Sequence, residues 1–201
     1  MHIVCLDLEG VLVPEIWIEF SKTTGIEELK RTTRDEPDYD KLMKFRLNIL
    51  KNKGLKLVDI QNVIGKMDPL PGAKEFMDTL RKETQVVILS DTFTQFAAPL
   101  MAKLGYPTLF CNELEIALDG SVEGYRLRQT DGKKKAVAAF QSINLKVMAA
   151  GDSYNDLGMI TSAESGALFM SPESIRKEFP HIPAYETYAE LLAHARKFIL
   201  S

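Results

Sequence analysis

The sequence has few cysteines and no long apolar segment. Only two of its 201 residues are cysteine, Cys5 and Cys111, which excludes a dense disulfide framework and favours a reducing compartment. No apolar stretch approaches the roughly 20 residues that a helix needs to cross a bilayer. The first residues include no basic leader, and Asp7 and Glu9 interrupt their apolar run. We therefore expect no signal peptide, no membrane partner and a cytoplasmic location.

The chain has slightly fewer basic residues than acidic ones, 25 against 28. The formal net charge is −3 and the pI is about 5.7, which disfavours a nucleic-acid partner because such a partner requires a basic face. An anionic substrate would have to be held by a few local cations. The sequence contains no repeat or low-complexity segment. Its length allows one good core with room for an inserted subdomain.

Three short apolar runs each lead into polar residues. Residues 3–6, 85–89 and 145–150 have the composition of buried parallel strands. Helical patterns separate them, so we predict an α/β fold with a Rossmann-like parallel sheet. The carboxyl ends of such strands share one edge, where ligands bind. That edge would gather the side chains of Asp7, Glu9, Ser90 and Asp152.

Acidic residues at the end of a buried strand require an explanation. A single acid after a strand is usually a turn former or a helix cap. Several acids gathered at one buried edge must be paired or must bind a metal. The pattern therefore favours a site for Mg²⁺ and phosphate.

The segment after the first strand has a different character. Residues 14–70 contain no convincing strand, and their pattern predicts helices from Pro14 to near Gly25, from Asp38 to Lys53 and around residues 57–64. A cluster of proline and glycine at 68–72 returns the chain to the core. We predict a catalytic core of residues 1–13 and 71–201, with a helical cap of residues 14–70 that determines substrate specificity.

The remaining elements follow from local signals. We expect helices over residues 71–83, 132–141 and 187–199. We also expect a helix that follows the second strand and ends at residue 103, and a short strand at 166–170. Residues 114–127 alternate around Asp119 and Gly120, which favours a two-residue hairpin turn. Asp131 is expected to cap the helix that follows it.

The motifs together indicate a family. Asp7-Leu8-Glu9-Gly10-Val11, Ser90, a downstream lysine and Gly151-Asp152-x-x-x-Asp156 resemble the four motifs of the haloacid-dehalogenase-like phosphatases, over nearly the whole chain. Within them the chain is similar to phosphoserine phosphatases, and especially to a bacterial branch described as phosphoserine phosphatase/homoserine phosphotransferase. The resemblance implies Mg²⁺-dependent transfer of phosphate from O-phospho-L-serine to water or homoserine.

The resemblance also implies roles for the strand-end residues. Asp7 would be the nucleophile that forms an aspartyl-phosphate, and Mg²⁺ would be held by Asp7, Asp152 and the backbone carbonyl of Glu9. Glu9 would act as general acid and then as base. Most relatives have aspartate there, and the extra methylene moves the carboxyl group by about 1.5 Å, which favours a bulkier acceptor than water. Asp156 either ligates through water, orients Asp152 or begins a helix.

Four further residues are expected to contact the phosphate. Ser90 would donate a hydrogen bond to it, although serine at this position is also a common helix cap. Lys133 belongs to a run of three lysines, which is otherwise typical of a solvated basic face, and the resemblance implies that it is the inward member because it follows Gly132 as in the family. Asn155 would contact the phosphate or cap the next helix. Asp91, beside Ser90, completes this group.

Substrate choice is expected to come from the predicted cap. Arg46 lies on an apolar helix face, where it either extends to solvent or binds a carboxylate with its planar fork. Glu15 either complements a helix dipole or binds an ammonium group. In phosphoserine phosphatases a glutamate and an arginine at matching positions hold the amino acid, and Met43 would line the apolar side of that pocket.

Other interpretations remain open. The substrate could be another small phosphorylated amino acid, or the chain could be a dehalogenase with the same aspartate nucleophile. It could also be a non-catalytic sensor of phosphoamino acids. We assign no chemistry to His2, His181 and His194, and expect Trp17 and Phe20 to pack the cap.

Overall fold

The computed structural model describes residues 1–33, 35–36 and 38–201. These residues form one mixed sheet of seven strands in the spatial order β4-β3-β2-β1-β5-β6-β7. The strands are β1 (His2–Leu6), β2 (Gln85–Phe93), β3 (Thr108–Ile116), β4 (Val122–Arg126), β5 (Lys146–Gly151), β6 (Ser165–Phe169) and β7 (Ala184–Tyr185). The helices are α1 (Ile16–Thr24), α2 (Tyr39–Asn52), α3 (Leu57–Ile64), α4 (Ala73–Glu83), α5 (Thr94–Lys103), α6 (Gly132–Ser142), α7 (Leu157–Ser162), α8 (Glu173–Glu178) and α9 (Tyr188–Ile199).

The predicted fold class is confirmed. Strand β1 pairs in parallel with β2 on one side and with β5 on the other, so the three apolar runs are neighbours. Only the pairing of β3 with β4 is antiparallel among the described strands.

Strand β1 shows why its sequence is continuously apolar. Val4 and Leu6 belong to a core cluster on one face of the sheet, whereas Ile3 and Cys5 belong to a second cluster on the other face. Successive side chains of a strand point to opposite faces. A strand covered by helices on both faces therefore needs apolar residues at every position.

The segment between β1 and α4 is helical. Its described residues form α1, α2, α3 and a 3₁₀ helix (Glu27–Lys30), and apart from a single bridge at Lys56 they form no β-structure after residue 13. Hydrogen bonds tie it to the β3–β4 hairpin, from Tyr125 Oη to Asp40 Oδ1 (2.7 Å) and from the Leu57 amide to the Gly120 carbonyl (3.0 Å). None of the described helices is long and apolar enough to cross a membrane.

Several local predictions were wrong. Helix α1 begins at Ile16 rather than near Pro14, and the Glu9 carboxylate accepts the amide of Ile16. Asp131 makes no side-chain cap, because its φ of 53° is left-handed and a capping side chain requires an extended backbone. Strand β3 begins at Thr108, before the predicted hairpin, and its first part pairs in parallel with β2. Helix α8 and strand β7 had not been predicted.

Candidate active site

The strand ends bring the predicted site residues together. Asp7 follows β1 directly, and its amide donates to the Ala150 carbonyl of β5 (3.0 Å), which places Asp7 beside the start of the loop that carries Asp152. Ser90 lies within β2, where the regular pairing with β3 is interrupted between Leu89 and Phe93. Ser90 and its neighbours therefore lie where the ladder between β2 and β3 is irregular.

Gly10 allows the first loop to approach Asp152 closely. Its φ is +78°, and a Cβ atom at this position would lie 2.7 Å from the Asp152 Cγ atom. Glycine adopts this conformation without the penalty that a side chain incurs. The turn from Leu8 to Val13 is closed by hydrogen bonds between backbone groups, so the approach is fixed by the fold.

Three buried carboxylates form the centre of the site. One ligand oxygen from each of Asp7, Asp152 and Asp156 lies within 4.8 Å of the others. Lys133 Nζ lies 2.9 Å from Asp7 Oδ1 and 2.6 Å from Asp156 Oδ1. Lys133 is therefore the buried member of the run of three lysines, while Lys134 and Lys135 are exposed.

The charged groups of this centre lie close enough to shift one another's pKa values. Burial raises the pKa of Asp7, and repulsion from Asp156 raises it further, against the attraction of Lys133. Burial disfavours the ammonium of Lys133, but attraction to Asp156 and Asp7 outweighs it and raises the pKa of Lys133. The cluster contains three carboxylates, and Lys133 pairs with two of them, Asp7 and Asp156, so the group of four side chains has more acids than cations. A divalent cation with a preference for oxygen ligands fits such a donor set.

Asp156 is better suited to orienting groups than to binding a metal. Its Oδ1 contacts Lys133, and its Oδ2 accepts the amides of Asp152 and Ser153, both at 3.1 Å. Both oxygens therefore already have partners. Asp7 and Asp152 are the side chains best placed to hold a metal, and the Glu9 side chain is not part of this group.

Glu9 is held beside the centre by the start of α1. Its Oε2 accepts the Ile16 amide at 2.8 Å, and the Thr92 hydroxyl is a second partner. Burial, and then repulsion from Glu15, raise the pKa of Glu9 to about 7. A carboxyl group with such a pKa can both donate and accept a proton near neutrality.

Asp91 and Asn155 form a polar bridge next to Ser90. Asn155 Nδ2 donates to Asp91 Oδ2 at 2.9 Å, and Asp91 Oδ2 lies 3.7 Å from Lys133 Nζ. The Asp91 carbonyl accepts from Tyr39 Oη and from Asn112 Nδ2, both at 3.1 Å. The Ser90 hydroxyl is buried and accepts the Thr92 amide at 3.2 Å.

Arg46 is buried on the helical side of the site. Its Nη2 donates to the Arg31 carbonyl at 2.8 Å, and its guanidinium lies 4.7 Å from the centre of the Trp17 ring. Burial lowers the pKa of Arg46 to about 10, although Glu9 favours its charge. Its Nε is buried and has no hydrogen-bond partner among the described residues. A buried donor without a partner is costly unless a ligand supplies an acceptor.

One cavity of about 290 Å³ contains nearly all of these groups. Its described lining does not include Met43, which is fully buried and lies beneath Arg46 with its sulfur 3.8 Å from Nη1. Met43 therefore supports the guanidinium from behind instead of forming a wall. The predicted site residues that do line the cavity are Asp7, Glu9, Glu15, Arg46, Ser90, Asp91, Lys133, Asp152 and Asn155.

The sequence of this chain matches a known protein family. Residues 1–164 match the haloacid dehalogenase-like hydrolases. The chain belongs to this family. The resemblance seen in the four motifs is thus confirmed, and the chain is a hydrolase of the haloacid dehalogenase-like type.

Individual relatives agree with this assignment. The chain is 59% identical over 191 residues to phosphoserine phosphatase ThrH of Pseudomonas aeruginosa, with 95% of this chain and 93% of that protein covered. It is 56% identical to a phosphoserine phosphatase of Pseudomonas syringae pv. tomato, with 95% and 81% covered. A substrate-bound phosphoserine phosphatase structure superposes with a TM-score of 0.79 at 22% identity, with 96% and 97% covered, and thus has the same fold.

The hydrolase site includes residues that the sequence did not reveal. Thr92 contacts Glu9, and the only available signal was its position two residues after Ser90, on the same face of the strand. Trp17 was expected only to pack, yet it lines the cavity and contacts Arg46. No local pattern indicates either contact, because both depend on tertiary packing.

Proposed function

We propose that this hydrolase is a Mg²⁺-dependent phosphoserine phosphatase that also transfers the phosphoryl group to homoserine. The observation that carries the proposal is the buried Arg46, which lines the same cavity as Glu15, Asp7 and Lys133. An arginine and a glutamate at one end suit a zwitterionic amino acid, and a lysine with a serine at the other suits a phosphate. The names of the two Pseudomonas relatives support this substrate.

The cap assignment is part of the same proposal. Residues 14–70 provide Glu15, Trp17 and Arg46. The strand ends provide Asp7 and Asp152, and the start of α6 provides Lys133. A division of this kind allows substrate choice to change without change in the reacting groups. We infer that the helical segment determines which phosphate ester is accepted.

The chemistry follows from the positions of Asp7 and Glu9. In the first step an Asp7 oxygen attacks phosphorus, the bond from phosphorus to the serine oxygen breaks, and Glu9 gives its proton to that oxygen. Lys133, Ser90 and Asn155 hold the phosphoryl oxygens during the transfer. Bound at Asp7, Asp152 and the Glu9 carbonyl, Mg²⁺ would supply neutralisation of the charge on the phosphoryl oxygens.

The second step returns Asp7 to its starting state. Glu9 removes a proton from the incoming hydroxyl, whose oxygen attacks phosphorus while the bond to Asp7 breaks. Water gives inorganic phosphate, and homoserine gives its phosphate ester. Homoserine carries the same ammonium and carboxylate as serine with a hydroxyl one carbon further away, so Glu15 and Arg46 can hold it in the same way.

Phosphate release from phosphoserine tests the proposal. We expect turnover with MgCl₂, loss of turnover with excess EDTA, and recovery when Mg²⁺ is restored. Asp7→Asn should remove activity while leaving the circular dichroism spectrum unchanged, and phosphorus NMR with homoserine present should show a second ester. Normal turnover by Asp7→Asn would exclude the mechanism. Binding of phosphoserine without any release would favour a sensor, and halide release without metal would favour a dehalogenase.

The specificity part has its own test. Arg46→Ala should raise KM for phosphoserine at least tenfold while changing KM for p-nitrophenyl phosphate little, because that ester has no carboxylate. Equal effects on the two substrates would contradict a carboxylate-binding role for Arg46.

A further inference from the structure

A second, larger cavity adjoins the candidate active site. Its volume is about 880 Å³, and it shares part of its wall with the cavity of 290 Å³ described above. The shared wall includes the four residues expected to contact phosphate, namely Ser90, Asp91, Lys133 and Asn155.

The two cavities differ in which reacting groups they contain. Asp7, Glu9 and Asp152 line the smaller cavity and are absent from the described lining of the larger one. A molecule in the larger cavity would therefore meet the groups proposed to hold phosphate but not the nucleophile or the acid–base residue. The larger cavity is consequently not a place from which an acceptor hydroxyl attacks.

The larger cavity leads from a buried floor to the surface. Of the residues that line it, Ser90, Asn112 and Lys133 are buried, whereas Arg128 and Lys134 are exposed. This path reaches the phosphate position without passing Glu15, Trp17 or Arg46, which are absent from its described lining. It offers a second connection between the phosphate position and solvent.

The outer part of this cleft carries cations that have no acidic partner. Within the described part of the chain, neither Arg128 nor Lys134 forms an ion pair; Arg128 lies over the Phe110 ring at 5.2 Å, and its amide donates to Asn112 Oδ1 at 3.0 Å. Two acids also line the cleft, Asp131 and Asp91, and the Asp91 carboxylate is bonded to Asn155. Lys133 is already paired with Asp7 and Asp156. In the exposed part of the lining, Arg128 and Lys134 outnumber the single acid Asp131, so this part of the cleft suits a small anion.

We propose that the larger cavity is an exit cleft for inorganic phosphate, with a weak phosphate site at Arg128 and Lys134. The proposal rests on the proposed phosphatase activity, which produces this anion beside Lys133. The hydrogen bond between Asp91 and Asn155 lies in the shared wall and must open for the product to pass. The volume exceeds what one phosphate needs, so the cleft is a passage and its affinity is expected to be in the millimolar range.

Product inhibition distinguishes this cleft from the active site. In the proposed reaction serine leaves first and phosphate last, so phosphate that binds only in the smaller cavity competes with phosphoserine and changes KM alone. Phosphate that binds in the cleft while phosphoserine occupies the smaller cavity also lowers kcat. We therefore expect mixed inhibition by inorganic phosphate at constant ionic strength, with effects on both parameters.

A double variant tests the assignment to the two cations. In Arg128→Ala/Lys134→Ala the inhibition constant for the kcat effect should rise at least tenfold, leaving competitive inhibition. Arg126→Ala/Lys135→Ala removes the same charge from exposed positions outside both described linings and should behave like the wild type. Purely competitive inhibition of the wild type, or mixed inhibition that the first pair leaves unchanged, would overturn the proposal.

A binding measurement keeps this test independent of turnover. Calorimetric titration of the wild-type chain with inorganic phosphate should show two classes of site, and titration of Arg128→Ala/Lys134→Ala should show one. A single class that is identical in both proteins would overturn the exit cleft. Failure to hydrolyse phosphoserine would instead refute the proposed function, so the two failures are distinguishable.

Discussion

The Arg46 guanidinium carbon lies 4.7 Å from the centre of the Trp17 ring. Arg46 comes from α2 and Trp17 from α1, so this contact joins two helices of the segment proposed as a cap. The guanidinium has lost most of its water, and an aromatic face compensates part of that loss. Together with the Arg31 carbonyl at Nη2 and the Met43 sulfur at Nη1, this contact fixes the orientation of the guanidinium beside the cavity.

We expect Trp17→Leu to weaken substrate binding with little effect on chemistry. Loss of the aromatic face should raise KM for phosphoserine about fivefold to thirtyfold, corresponding to roughly 1–2 kcal/mol, whereas kcat should change less than threefold. Trp17→Phe should restore part of the affinity. Phe96→Leu is the control, because Phe96 contacts Trp17 edge-on at 5.5 Å but does not line the described cavity.

Fluorescence gives a second readout of the same contact. Trp17 is the sole tryptophan in the chain, so its emission should shift when phosphoserine binds to the Asp7→Asn protein. The shift should disappear in Arg46→Ala. A kcat loss without a change in KM for Trp17→Leu would show that the contact has only a structural role.

Gly10→Ala is expected to inactivate the enzyme. The new Cβ would lie 2.7 Å from Asp152 Cγ, so Asp152 or the first loop must move, and a shift of this size at a proposed metal ligand should cost at least a hundredfold in kcat/KM. Gly25→Ala is a matched control, since Gly25 also has positive φ (+70°) but a Cβ there meets no atom within 4 Å. Both changes should cost about 1 kcal/mol in backbone strain, measured by urea unfolding. Equal activity of the two variants would contradict this interpretation of the loop.

Lys133 should matter for stability as well as activity. Lys133→Met would leave Asp7 and Asp156 without their shared cation in a buried site, and breaking a buried pair typically costs about 3–5 kcal/mol. We expect the urea midpoint to fall and phosphoserine turnover to drop at least a thousandfold. Lys135→Met, at an exposed position in the same helix, should change the free energy of unfolding by less than about 0.5 kcal/mol. Full activity of Lys133→Met would refute the proposed role.

The central sheet could be predicted because the burial of each strand is visible in a short stretch of the sequence. Strands β1, β2 and β5 are buried on both faces, so each appears as an unbroken apolar run, and parallel strands necessarily gather their carboxyl ends at one edge. Asp7, Ser90 and Asp152 are therefore candidates for one site on the strength of their positions in the sequence. Lys133 was chosen from three lysines only through the family resemblance.

The remaining features depend on contacts that the sequence does not encode locally. Strand β7 has two residues and α8 has six, too few to show a periodicity. Asp131 is of a residue type that often caps helices, but its backbone is left-handed. Met43 lies behind Arg46 because α2 packs against the core along that face, and nothing in the spacing of the two residues distinguishes a wall from a support.

His194 is not one of the candidate site residues, but its environment predicts that the stability of the fold depends on pH. Its Nε2 lies 2.9 Å from Ser165 Oγ and its Nδ1 lies 3.0 Å from Tyr185 Oη, so both nitrogens have hydroxyl partners where α9 packs on β6 and β7. Burial, and then repulsion from Lys197, lower the pKa of His194. The folded chain therefore resists protonation of this ring.

The consequence is a loss of stability in mild acid. A histidine in the unfolded chain titrates near 6.5, so between that pH and the lower pKa of folded His194 the unfolded chain binds more protons, and the free energy of unfolding decreases as pH falls. The contribution is complete above about pH 7 and levels off once the pH is below the folded pKa. In urea titrations from pH 7.5 to pH 5, His194→Gln should therefore lose less stability on acidification than the wild type. His181→Gln should follow the wild-type curve because His181 is exposed. The carboxylates that also titrate are common to all three proteins, so the difference between the curves reports on the histidine. If the curves of wild type and His194→Gln remain parallel, His194 does not control the response, and its hydroxyl partners stabilise the charged ring as well as the neutral one.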